Sequence, residues 1–365
     1  MSGTRTVGGG DVADICTSAS WEGPRPAVSV VVATYRRPSW LADLHQALSE
    51  MQRPPGGFEV VLVDDASGDG TWDVIRRLAE GSALRLRGVR LVANAGQGTA
   101  RTIGVGQARG AVVAFTDDDC LPSEVWLVAL AAPLLRALAS GDDGAEGAAT
   151  SLVVQGRTVA WPGDAGGAGA WARTIWVLRP SWLFETCNIA YRRDDILAVG
   201  GFAGRGDAPQ GAHGRLVGED ALVGWAVMAR GATLVFVPAA LVYHRHHRAS
   251  YWQFVADQRG RAVFPALVGC SPQARSAMWH RWFLARRTAL FDLAVLTAAI
   301  GSIGRSRAWR WWWLGTVPWL WSAAGEARHR PGRPLAVRLV QLALADAVGG
   351  ASLVGGSIRR RHLVI

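Results

Sequence analysis

Ala111-Val112-Val113-Ala114-Phe115-Thr116-Asp117-Asp118-Asp119, or AVVAFTDDD (111–119), sets a short apolar run directly against three carboxylates. Five apolar residues without a polar break read as a strand covered on both faces, the kind that fills a parallel sheet. The aspartates follow at the carboxyl end of that strand, where open α/β sheets gather their ligands.

Working outward, the same grammar recurs upstream. Residues 28–33 are a β-branched strand, followed by a helix over 39–51 with Ser39 as its cap and Pro54-Pro55-Gly56-Gly57 as its stop. Residues 58–63 form a second buried strand that ends in Asp64 and Asp65, and a helix covers 71–80. A third strand is expected over 89–92 and a helix over 98–108 before the opening stretch. Strand–helix alternation with short loops predicts a parallel sheet with right-handed crossovers. Three strand ends then aim polar groups at one rim: Thr34, Tyr35, Arg36 and Arg37; Asp64 and Asp65; and the aspartate triplet.

Downstream of about residue 150 the pattern changes. Short strands and a Gly-rich stretch at 163–169 are followed by a helix over 219–230, a strand over 233–237 and a strand-like run at 241–243. From 251 onward the chain reads as helical. The expected organisation is a flexible leader (1–26), a catalytic domain (27–250, with halves 27–125 and 126–250) and a helical extension (251–365).

Composition narrows the classes. Half of the 365 residues are hydrophobic, enough for a substantial core, and the net charge is +10 with every one of the 39 basic residues an arginine. Guanidinium forks suit phosphate partners, although arginine usage also follows coding bias. The arginines are dispersed and no nucleic-acid module is visible, so no nucleic-acid partner is expected. Cys16, Cys120, Cys187 and Cys270 form no C-x-x-C pair, which speaks against a zinc site or a disulfide scaffold and for a reduced, cytoplasmic setting.

The chemistry-bearing residues divide by task. Aspartates at a strand end can hold Mn²⁺ or Mg²⁺, which prefer carboxylate oxygens and neutralise a leaving diphosphate. The same triplet could be a solvated turn, or the cap of a helix opened by Pro122, Ser123 and Glu124. Asn94 to Gly98 is a Gly-containing turn into a helix, with Arg101 one turn inside, near where phosphate would lie. Gly218-Glu219-Asp220 opens a later helix, a position that suits a general base or merely a cap. His244 ends an apolar run and could ligate a metal.

Taken in order, VSVVVATYRRP (28–38), VVLVDDASGDGT (60–71), NAGQGTARTIGVGQARG (94–110), VAFTDDDC (113–120), CNIAYRRDDILAVGGF (187–202), VGEDALVGWAVMARGA (217–232) and VYH (242–244) resemble a family 2 glycosyltransferase of the GT-A fold. The resemblance spans roughly 60% of the chain and implies an α/β, Rossmann-like, mostly parallel sheet flanked by helices. It implies that Thr34, Tyr35 and Asp65 contact the nucleotide, with Arg101 and Asp118 nearby. Asp117 and Asp119 match the family's D-x-D, and His244 its metal- or phosphate-contacting histidine. Asp220 matches the catalytic base and Glu219 its neighbour, while Asn188 and Arg193 match the acceptor-side floor. It also implies a UDP- or GDP-sugar donor, inversion at the anomeric carbon, and a glycan or lipid-linked acceptor. The segment 203–216 departs from the family pattern. A non-catalytic module of the same fold, binding nucleotide or membrane within an assembly, is the competing reading; the intact acidic set argues against it.

The tail carries Trp279, Trp282, Trp309, Trp311, Trp312, Trp313, Trp319 and Trp321 among Arg281, Arg286, Arg287, Arg305, Arg307 and Arg310. Tryptophan favours the membrane–water interface and arginine its anionic head groups. Apolar stretches at 288–304, 311–324 and 335–356 are interrupted by Asp292, Arg338 and Asp346. Helices packed on the catalytic domain, or lying on the inner face of the cell membrane through 279–356, are therefore expected rather than spans.

Overall fold

The β-branched runs form the centre of a nine-stranded sheet. In this computed structural model, which describes residues 11–141, 151–164, 169–202, 218–303, 307–330 and 332–365, the strands are β1 (Val12–Thr17), β2 (Val28–Thr34), β3 (Phe58–Asp64), β4 (Leu86–Leu91), β5 (Val112–Phe115), β6 (Cys120–Pro122), β7 (Leu152–Ala160), β8 (Ile189–Arg192) and β9 (Thr233–His244). Their order is β1-β4-β3-β2-β5-β8-β7-β9-β6. The four strands β4-β3-β2-β5 run parallel, and the chain reverses its direction of growth between β2 and β5. That is the topological switch point at which a parallel sheet opens a crevice.

Three helices make the crossovers: α1 (Pro38–Glu50), α2 (Thr71–Gly81) and α3 (Gln97–Gln107). Helix α1 buries Leu41, Leu44 and Leu48, an i, i+3, i+7 stripe, against the strands. Helix α3 approaches the other face so closely that a Cβ on Gly104 would lie 2.5 Å from Val31 Cγ1 and 3.2 Å from Val63 Cγ2. Only glycine allows that approach, and the approach sets the depth of Arg101 one turn earlier.

The structure departs from the sequence reading in three places. The leader expected over 1–26 is structured from Val12 on, as β1 pairs antiparallel with the edge of β4, Trp72 Nε1 donates to Asp14, and Trp21 is buried. Residues 1–10 lie outside the description. The third strand begins at Leu86 rather than Val89, because Leu86, Gly88, Val89 and Leu91 are all covered. The runs at 233–237 and 241–243 are one strand, β9, with a register irregularity opposite Gly156 and Arg157.

Beyond β5 the sheet turns antiparallel. Strand β8 pairs with β5 and β7 with β8, while β9 runs parallel to β7 and antiparallel to β6. Helix α4 (Trp126–Gly141) begins only after β6, so the aspartate triplet caps no helix. Helices α5 (Arg193–Ala198) and α6 (Glu219–Met228) complete this part.

Two compact units result, the first ending at Arg245 and the second comprising His246–Ile365 with a short piece that ends at Arg173. The second contains α7 (Tyr251–Asp257), α8 (Phe264–Cys270), α9 (Arg286–Ile303), α10 (Val317–Arg328) and α11 (Leu335–Arg360). Its core gathers Trp171, Ala294, Trp319, Ala323, Ala327 and Leu342. The charges expected to interrupt the last apolar stretch point inward. Asp346 accepts from Arg287 and from Trp319 Nε1, and Arg338 donates to the carbonyls of Arg333 and Ala327. Among the described residues, α11 is the one helix long and apolar enough to cross a membrane, and a third of its apolar window is buried within the protein.

Candidate active site

The switch point places Thr34, at the end of β2, beside the triplet that follows β5. Thr34 Oγ1 donates to Asp118 Oδ2 at 2.7 Å, which ties the two strand ends together across the crevice. The three aspartates then diverge. Asp118 turns inward, Asp117 stays 21% exposed at the lip, and Asp119 is buried toward β9.

The antiparallel pairing of β6 with β9 sets Cys120 opposite His244. That register brings Asp119 Oδ1 within 3.5 Å of His244 Nε2. His244 Nδ1 lies 2.8 Å from the carbonyl oxygen of Arg245, which can only accept, and this contact turns Nε2 toward Asp119. A carboxylate oxygen and an imidazole nitrogen at this separation fit adjacent positions on a divalent cation, whose ligands at about 2.1 Å lie about 3 Å apart.

Arg101, on α3, is the hub of the other side. It is buried, its Nη2 donates to Asp117 Oδ1 at 2.8 Å and its Nη1 to Asp220 Oδ1 at 3.1 Å, and Glu219 lies 3.8 Å away. Burial alone would lower this guanidinium, but Asp220, Asp117 and Glu219 outweigh it and hold the pKa above the ordinary value. Gly218, at φ +78, turns the chain into α6 so that Glu219 and Asp220 occupy its first turn. Gln97 Nε2 donates to Glu219 Oε1 at 2.8 Å.

Asp220 Oδ2 accepts from the backbone N–H and the hydroxyl of Thr186, at 3.2 and 2.8 Å. Burial pushes the Asp220 carboxyl up; Arg101 opposes the shift and Glu219 adds to it. Asp118 is pushed up to about 6, first by burial, with Arg37 opposing and Asp119 adding. A carboxylate raised in this way and partly open to solvent can act as a base near neutral pH.

The remaining expected residues separate by position. Tyr35 is half-buried at the rim under the Arg36 guanidinium, 5.1 Å from its ring. Asp65 is at the rim too, but its carboxylate receives the amides of Ala95 and Gly96, at 2.7 and 2.9 Å, and so clamps the loop into α3. Asn188 lies below the floor rather than on it. It accepts from Trp126 Nε1 and donates to the carbonyls of Arg157 and Ala240, joining α4, β7 and β9. Arg193 is not in the site. Strand β8 runs antiparallel to β5, with Ile189 opposite Phe115 and Arg192 opposite Val112, so Arg193 lies at the far edge, where its N–H meets the Ala111 carbonyl. The segment 203–216 lies outside the described residues.

Two residues enter that sequence reasoning assigned no role. Thr186 precedes the Cys187-Asn188 pair and holds Asp220. Arg37 Nη1 bridges Asp118 Oδ1 at 2.6 Å and Asp119 Oδ2 at 2.7 Å. Arg37 stood in the rim cluster, but nothing local named its partners.

A parallel block opening on an acidic switch point, continued by antiparallel strands that return a histidine and a carboxylate pair, is the GT-A class of fold. Residues 29–144 match the family model for Glycosyl transferase family 2. It is 32% identical over 105 residues to glycosyltransferase AglE of Haloferax volcanii, covering 28% of this chain and 33% of that protein. It is 35% identical over 92 residues to the poly(ribitol-phosphate) β-N-acetylglucosaminyltransferase TarS of Staphylococcus aureus, covering 25% and 16%. These matches span a third or less of the curated relatives' length. Among solved structures, the mannosyltransferase PcManGT from Pyrobaculum calidifontis, in complex with GDP-Man and Mn²⁺, superposes with a TM-score of 0.52 at 21% identity, covering 95% of this chain and 90% of that one. That likeness is one of fold.

Proposed function

We propose that this chain transfers a sugar from a UDP- or GDP-sugar to an acceptor hydroxyl with inversion at the anomeric carbon. The observation that carries the reading is Arg101. One buried guanidinium holds Asp117, on the side that would face the diphosphate, and Asp220, on the side that would face the acceptor. Leaving group and incoming nucleophile need just such juxtaposition.

In this reading Asp119 and His244, with Asp117 at the lip, would hold Mn²⁺ or Mg²⁺. The cation would supply charge neutralisation for the departing nucleoside diphosphate. Asp220, oriented by Thr186 and Arg101, takes the proton of the acceptor hydroxyl as its oxygen attacks the anomeric carbon. Glu219, held by Gln97, helps position the acceptor, and Thr34, Tyr35 and the loop clamped by Asp65 form the nucleotide side.

Thermal unfolding with nucleotide sugars tests the donor site, since a ligand bound to the native state raises its melting temperature. A UDP- or GDP-sugar with Mn²⁺ should stabilise the wild type, and Asp119→Ala should lose the Mn²⁺-dependent part while still melting cooperatively. An undiminished Mn²⁺ effect in that variant removes the metal assignment.

We further propose that the second unit rests peripherally on the inner face of the cell membrane, where a lipid-linked or glycan acceptor would be met. Trp311, Trp313 and Trp321 are exposed, Trp321 by 79%, with Ile300 and Val340 also open. The side chains at 307–310 and of Trp312 lie outside the description. Anionic phospholipid vesicles should pellet the protein in a Trp321-dependent manner and neutral vesicles should not; equal recovery with both would oppose this placement.

A further inference from the structure

Arg37 occupies a place that the metal reading needs explained. Its Nη1 donates to buried oxygens of two carboxylates, Asp118 and Asp119, while the Arg37 side chain itself remains 36% exposed. The Asp119 carboxylate is therefore shared: Oδ2 receives the guanidinium and Oδ1 faces His244. A divalent cation on Asp119 and His244 would meet a like charge on the opposite oxygen of the same carboxylate.

The side chain is built to leave. Among the described residues its other nitrogens have no hydrogen-bonded acceptor, and its guanidinium lies 5.0 Å from the Trp40 ring, a surface over which a planar cation can shift without losing contact. Arg245 lies 5.5 Å from the same ring and is already paired with Asp43. Two guanidiniums thus crowd one indole, and Arg37 is the one seated on the candidate metal ligands. A planar fork released there is suited to the oxygens of a diphosphate.

We propose that Arg37 is the counter-ion of the Asp118–Asp119 pair in the metal-free protein, and that it passes to the nucleoside diphosphate when a divalent cation takes Asp119. Cation and nucleotide then bind with positive coupling: the cation displaces the guanidinium, and the diphosphate receives it. This rests on the glycosyltransferase reading of the site.

The test is Mn²⁺ binding by the full chain, read from the paramagnetic resonance of free Mn²⁺, with and without UDP or GDP. In the wild type either nucleotide that binds should tighten Mn²⁺ binding. In Arg37→Gln, Mn²⁺ should bind about tenfold more tightly without nucleotide, and the gain from nucleotide should shrink by about the same factor, leaving only the cation's own attraction for the diphosphate. Arg37→Lys should keep the wild-type direction of coupling. Unchanged or weaker Mn²⁺ binding in an Arg37→Gln protein that melts like the wild type would overturn the proposal. So would independent binding of Mn²⁺ and nucleotide to the wild type. A wild type that binds no Mn²⁺ even with nucleotide would instead sink the metal reading beneath it.

Discussion

At the residue scale, the site is a charge problem solved by two arginines. Asp117, Asp118, Asp119, Glu219 and Asp220 crowd one crevice, and Arg101 and Arg37 divide them. Glu219 raises the pKa of its neighbour Asp220, and a general base works only when ionised. Turnover should therefore fall as pH drops through the raised Asp220 value. Glu219→Gln removes the like charge but can still accept from Gln97, so the acid limb of kcat/KM should move to lower pH. A limb that stays in place or moves upward would contradict the coupling. The carboxylates of this set were legible in the sequence because each sits in a short motif. Thr186 and Arg37 were not, because their partners lie 34 and more than 80 residues away and are chosen by sheet order. Arg193 misled for the same reason: it sits in a matching motif, but the antiparallel course of β8 carries it to the wrong end.

At the element scale, alternating apolar runs and turn residues made the first four buried strands and their crossover helices readable, and with them the rim. Strand β1 was hidden because an edge strand owes its order to backbone pairing with β4, and its polar residues read as leader. The packing of α3 is the element on which the site depends most. Gly104→Ala should improve helix propensity by about 1 kcal/mol. The new methyl would nevertheless press on Val31, a stiff β-branched side chain in a filled core. Overpacking of this kind costs about 1–3 kcal/mol, so the loss should win. The urea midpoint should fall, and donor binding with it, because Arg101 rides one turn away on α3. A raised midpoint would mean that the helix has room to spare.

At the scale of the whole molecule, one unit carries the candidate chemistry and the other a tryptophan-rich helical surface. The first unit ends at Arg245, and the change from an alternating to a continuous helical pattern near residue 250 was visible in the sequence. Which way the tail's charges faced was not, since Arg338 and Asp346 look like interruptions until α11 is seen to bury them. The candidate chemistry divides between a donor site built on Asp117 and Asp119 and a base at Asp220. The most direct measurement compares sugar transfer by the wild type and by Asp220→Asn, with Mn²⁺ and the donor that stabilises the wild type. Asp220→Asn should bind that donor with unchanged affinity and transfer sugar slower by about 10²–10⁴-fold; transfer at the wild-type rate would contradict the account.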